Sequence, residues 1–80
     1  MTSDQIIEAL RTVEPKLREE LGPKLASLGS RFDVDDLYQV TAMKSHLNSS
    51  QCKAESVDEL CVWVMDIASN SCDIAIREHA

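Results

Sequence analysis

From Ser56 to His79 the chain runs for 24 residues, SVDELCVWVMDIASNSCDIAIREH, without a glycine or a proline. Nothing in that stretch interrupts a helix, and it opens on a helix start signal. Ser56-Val57-Asp58-Glu59 has the form of a capping box. In that motif the serine hydroxyl accepts from the glutamate amide, and the glutamate carboxylate reaches back to the serine amide. Val57, Leu60, Cys61, Val64, Ile67, Ala68, Ser71 and Ala75 recur at helical steps and form one face. Trp63, the only tryptophan, shares an adjacent face with Ile67, Asn70 and Ile74. A long helix that is apolar on one side must bury that side against other elements. The expectation is the core helix of a small bundle, with Trp63 as its anchor.

Upstream, residues 1–30 read as helix in two pieces. Ser3 can cap a first segment with Ile6, Ile7 and Leu10 as its stripe. Pro15 sits where a helix interior tolerates it poorly, so the pattern predicts a new start or a kink there. Leu17, Leu21, Leu25 and Leu28 carry the stripe on, Gly22-Pro23 marks a second break, and Gly29-Ser30 a C-cap and turn. Residues 33–49 form the next predicted helix. Asp33 is its N-cap, Asp35 and Asp36 place negative charge on the first-turn amides, and Phe32 can staple onto Leu37. Leu37, Val40, Thr41, Met43 and Leu47 are its expected apolar face. Asn48 to Gln51 is a polar loop. No repeat and no strand-like alternation is present, so the fold class is all-α, a bundle of three or four helices in a single domain.

Composition excludes several functions. An apolar share of 44% with 28% charged residues suits a globular chain. No apolar run is long enough to span a bilayer, and the N-terminus MTSDQIIEAL is acidic, unlike a secretory signal, so no membrane partner and a cytoplasmic location are expected. Cys52, Cys61 and Cys72 form an odd set without a C-x-x-C pair, and His46 and His79 complete no zinc pattern. Reduced thiols, no metal and no cofactor are expected. Asp33, Asp35 and Asp36 read as a cap and dipole-favoured acids rather than a metal cluster. With two glycines in all, the chain has neither a phosphate cradle nor a nucleophile elbow, and it does not read as an enzyme. The net charge of −6 opposes non-specific attraction to nucleic acid or anionic membrane.

Two motifs go further. Phe32-Asp33-Val34-Asp35-Asp36-Leu37-Tyr38-Gln39 resembles the F-D-x-x-D-L/I-x-Q signature of region 2 in bacterial RNA polymerase sigma factors, most closely the extracytoplasmic-function type. Trp63-Val64-x-x-Ile67-Ala68-x-Asn70 is similar to the W-L-x-x-I-A-x-N signature that follows in that region. Leu21-Gly22-Pro23-Lys24-Leu25 and Ser30-Arg31-Phe32 resemble the run before the first motif, so the likeness covers most of the chain. It implies a compact helical domain that binds the clamp helices of the polymerase largest subunit and melts the minus-ten promoter element. Asp36, Gln39 and Val40 then fall at the polymerase-binding positions, with Leu37 and Thr41 turned inward. Lys53, Asn70 and Arg77 fall where DNA contacts lie, Trp63 is structural, and an anti-sigma factor is a further implied partner.

Several positions depart from the family pattern. Val40 replaces a customary Glu, and Ser49 and Cys52 stand at loop positions the family usually gives to aromatics, the latter where a flipped base is held. Met65-Asp66 and Arg77-Glu78 replace basic pairs. From Ser56 to Ala80 five acids face one base, a formal −4, where a phosphate backbone calls for the opposite sign. A second expectation therefore stands beside the first: a degenerate sigma-like module that binds proteins, or acts as a decoy regulator, without DNA. The helix-turn-helix region that sigma factors of this type add is not among these 80 residues.

Overall fold

The computed structural model describes residues 2–27 and 32–79, with only the backbone of His79. Leu28, the Gly29-Ser30 turn and Arg31 lie outside the described residues. Three α-helices follow in order: α1 (Ser3–Ala26), α2 (Val34–Leu47) and α3 (Val57–His79). A single 3-10 turn, Ser49–Gln51, follows α2. Among the described residues there is no strand, and the chain is an all-α bundle.

The first helix is one piece, not two. Its N-cap is Thr2 rather than Ser3, in a capping box with Gln5: the Gln5 amide donates to Thr2 Oγ1 (3.3 Å) and the Thr2 amide to Gln5 Oε1 (3.0 Å). Pro15 and Pro23 both lie inside it. They sit eight residues apart, about 80° round the helix from one another, and both are exposed. The carbonyls of Arg11 and Glu19, which lose their amide partners to the prolines, therefore face water. The opposite side is an unbroken buried stripe of Ile6, Leu10, Val13, Leu17, Leu21 and Leu25.

Packing fixes the topology. Ile6, Ala9, Leu10 and Val13 form one cluster with Leu60 and Val64, and Leu17, Leu21 and Leu25 form another with Ala68, Cys72 and Ala75. Helices α1 and α3 thus run parallel. Leu37, at the start of α2, joins the second cluster, whereas Ala42 borders the first, so α2 runs back between them. The order is up-down-up. Tyr38 and Met65 touch both clusters and join them into one core. At about 1.5 Å per residue, the 24 residues of α1 account for nearly all of the 37 Å length of the molecule.

The buried face of α2 differs from the expected one. It is Leu37, Thr41 and Ser45, while Met43 and Leu47 are 55% and 73% exposed. Opposite lie small residues of α3, namely Ala68, Ser71, Cys72 and Ala75, so the seam favours side chains that let two backbones approach. Thr41 and Ser45 meet their hydrogen-bonding needs within α2: Thr41 Oγ1 donates to the Leu37 carbonyl (2.8 Å) and Ser45 Oγ to the Thr41 carbonyl (2.7 Å). Asp33 caps α2 as expected, and Asp36 returns the bond in a second capping box. The helix closes at Leu47, two residues before the expected end. Phe32 packs against the cluster that holds Leu37, as a staple requires.

Ser56 caps α3 as expected, and only the return bond of the box differs. The Glu59 amide donates to Ser56 Oγ (3.2 Å), but the Glu59 carboxylate accepts from the Glu55 amide (2.7 Å) rather than from that of Ser56. Val57 is 53% exposed, and Cys72, absent from the expected face, is fully buried. Ser71 Oγ is buried without a hydrogen-bond partner.

Two substitutions should move stability in opposite directions. Leu37→Ala empties the cluster that Leu37 shares with Leu17, Leu21 and Leu25 and should cost about 3 kcal/mol or more. That is a large share of the roughly 4–12 kcal/mol a chain of this length commands. Ser71→Ala removes an unpaired buried hydroxyl and should gain about 1 kcal/mol. Urea unfolding followed by circular dichroism measures both; a loss of stability in Ser71→Ala would mean that the hydroxyl is paired in solution.

Candidate functional site

The outer side of α2 carries the three positions expected to bind polymerase. Asp36 is held by its own cap: its Oδ2 accepts from the Asp33 amide (3.2 Å), while its amide donates to Asp33 Oδ1 (3.0 Å). One carboxylate oxygen therefore remains for a partner, in a position set by the backbone. Gln39 is exposed one turn along, and Val40 is half-buried. Leu37 and Thr41 point inward, both fully buried. Met43 and Leu47 continue the outer side toward the end of α2, which makes it more apolar than the sequence reading allowed. They were assigned to the core because they fit helical spacing, and that spacing cannot tell which of two overlapping stripes wins.

Val40 and Lys44 form one wall of a small groove between α2 and α3. Phe32, Ile74 and Glu78 complete it, with Ser71 at its base, and its volume is about 270 Å³. Lys44 and Glu78 give its mouth one charge of each sign.

Arg18 ties α1 to the start of α2. Its Nη2 donates to Asp35 Oδ1 (2.6 Å) and its Nε to Glu14 Oε2 (3.0 Å). The hydrogen bond to Asp35, then that to Glu14, raises the Arg18 pKa above its ordinary value. Tyr38, close to the same group, has its pKa raised first by burial and then by the charge of Glu14. These contacts orient the α2 terminus whose cap includes Asp36.

The residues expected to meet DNA are not gathered in one place. Asn70 and Arg77 are exposed and seven residues apart on α3, hence on one side. Asp66 and Asp73 share that side, each one turn before its neighbour. The surface is a ladder, Asp66, Asn70, Asp73, Arg77, with two acids to one base. Lys53 is exposed in the segment before α3, whose first residue, Val57, is about 30 Å from Arg77 by helix rise. Cys52 is half-buried against the cluster of Ile6, Leu10 and Leu60. Trp63 is half-buried against the same cluster, as a structural residue is.

Two of the three thiols sit where burial disfavours the thiolate. Cys72 is fully buried, and burial first, then Asp73, pushes its pKa up. Cys61 is half-buried; burial first, then Asp58 and Glu8, raises its pKa as well. Among the described residues no group of three or more His, Cys, Asp or Glu is placed to hold a metal ion, and no helix is long and apolar enough to cross a membrane. His46 is exposed. No protein-family model, no curated protein and no solved structure matches this chain.

A raised thiol pKa means less thiolate at any given pH, and burial adds a barrier of access. In folded protein at mildly alkaline pH, iodoacetamide should modify Cys61 slowly and Cys72 only through global unfolding. In urea the two should react alike. Mass spectrometry of the modified peptides over time reads both rates.

Proposed function

We propose that this chain is a sigma factor region 2-like domain that binds the clamp helices of the RNA polymerase largest subunit and works in transcription initiation in the cytoplasm. The observation that carries the reading is α2. It leaves Gln39 exposed and Asp36 and Val40 partly so while burying Leu37 and Thr41, which supports the reading drawn from the F-D-x-x-D-L-x-Q resemblance. The Asp33–Asp36 box gives Asp36 a fixed orientation, which lowers the entropy lost on docking. The exposed Met43 extends the same side with apolar area.

Binding to an isolated clamp-helix hairpin tests this reading. Asp36→Asn retains an oxygen to accept from the Asp33 amide, so the cap survives while the charge is lost. Combined with Gln39→Ala it should weaken binding by about tenfold or more, the equivalent of about 1.4 kcal/mol. Wild-type protein that fails to bind, or binds no better than the double variant, sinks the proposal.

A second reading keeps the protein partner and drops the promoter. The acidic ladder on α3 favours it, because Asp66 and Asp73 stand beside the only residues of that helix expected to meet DNA. Each acid on a phosphate-facing surface opposes the counterion release that drives such binding. The module then acts as a decoy or regulator on polymerase or on an anti-sigma factor. Under this reading a minus-ten single strand leaves Trp63 fluorescence unchanged even at low ionic strength. Saturable binding that weakens steeply with salt would instead restore promoter recognition.

A further inference from the structure

The flank of the bundle that α2 does not cover carries a second and larger groove, between the parallel helices α1 and α3. Its volume is about 400 Å³. The floor is apolar, formed by Val13, Cys61 and Met65, and Val62 stands at its lip with 62% of its surface exposed. Val62 lies off the buried stripe of α3, so the core does not account for an apolar residue there. Thr12 of α1 and Ser69 of α3 also line it. Its borders are acidic. Glu20 and Asp66 line it, Glu8 and Asp58 flank Cys61 at its lower end, and Asp73 lies two helical turns beyond Asp66 on the same side. Against these five acids stand three bases: Lys16 on the wall, Lys24 near Cys72, and Arg77, which follows Asp73 on the same side of α3.

Shape and charge together select an occupant. A channel between two parallel helices is the place where a further helix packs to complete a four-helix arrangement. The acids from Asp58 to Asp73 span about 22 Å of α3, some four turns of an opposing helix. The negative rim repels nucleic acid, and a second copy of a chain with net charge −6 is repelled in the same way. We propose that the α1–α3 groove is a docking surface for the apolar face of a basic amphipathic α-helix belonging to a partner protein. Such a helix seats apolar side chains on Val62 and Met65 and aligns its Lys or Arg residues with the acids on either border. The site lies on another flank of the bundle from the outer side of α2. It therefore stands or falls independently of polymerase binding.

The test uses an isotope-labelled full chain and two designed amphipathic peptides of about 16 residues, matched to the groove length. One peptide has a Leu/Lys pattern and the other the same pattern with Glu for Lys. The Leu/Lys peptide should shift the amides of Thr12, Val62, Met65 and Ser69 saturably, leave Gln39 and Met43 unmoved, and weaken steeply with salt. The Leu/Glu peptide should not bind. Val62→Asp alters an exposed position, so helix content should persist while affinity for the Leu/Lys peptide falls by about tenfold or more, worth about 1.4 kcal/mol. Asp66→Lys should weaken binding and flatten its salt dependence. Clamp-hairpin binding by Val62→Asp should equal that of wild type, which separates the failure of this proposal from failure of the polymerase reading. Shifts centred on α2 or spread over the whole surface, equal binding of the two peptides, or an unaffected Val62→Asp would each overturn it. Concentration-dependent dimers of the peptide-free chain that bury Val62 would overturn it too.

Discussion

Helix α1 keeps its course through Pro15 and Pro23 because the stripe on its other side is worth more than the two prolines cost. An interior proline costs about 3 kcal/mol in a helix, so two cost about 6. Full burial of each residue in the stripe Ile6, Leu10, Val13, Leu17, Leu21 and Leu25 contributes about 1.5–3 kcal/mol, or about 9–18 in total. A break at either proline would swing part of that stripe away from α3. The prolines also stand on the exposed side, where the orphaned carbonyls reach water and where any bend wraps the helix around its core. The rest of the architecture follows. With α1 unbroken and matched along its length by α3, the two must run parallel, and α2 has to return between them.

This balance explains which elements were legible in the sequence. The third helix has no breaker and a strong cap, so its extent was readable to within a residue or two, and Asp33 announced the start of α2 equally well. The first helix was not legible as one piece, because its prolines are local signals while the burial that overrides them is tertiary. The inner face of α2 was misjudged for a different reason. Thr41 and Ser45 look polar in sequence, yet each satisfies its hydroxyl on a carbonyl one turn back and so can enter a seam of small residues. Once they are inside, Met43 and Leu47 are turned out.

The candidate site was legible to a similar depth. The motif implies that Leu37 and Thr41 turn inward, and both are buried, whereas Gln39 is exposed and Asp36 partly so. The motif did not reveal that Asp36 is also half of a capping box, so the residue serves both helix stability and any partner. Nor did it reveal that Val40 helps wall a groove with Ile74, since that depends on how α3 lies against α2. The α1–α3 groove left only a faint trace in sequence, an apolar Val62 between acids and outside the apolar register. One residue out of pattern is too little to read until the neighbouring helix is in place.

The acids of α3 make a distinction of their own. Asp58 and Glu59 lie in the first turn, where the helix dipole and the cap favour negative charge. Asp66 and Asp73 are exposed in mid-helix and toward its end, and Glu78 lies in the last turn, where the dipole disfavours an anion. Neither capping nor core packing calls for acids at these positions, and together they raise the self-repulsion of a chain already at −6. An electrostatic field without a folding role is most economically assigned to what meets it from outside. A positively charged protein surface fits that field and a phosphate backbone does not, so charges that would oppose any DNA contact along α3 suit the basic partner helix proposed for the α1–α3 groove.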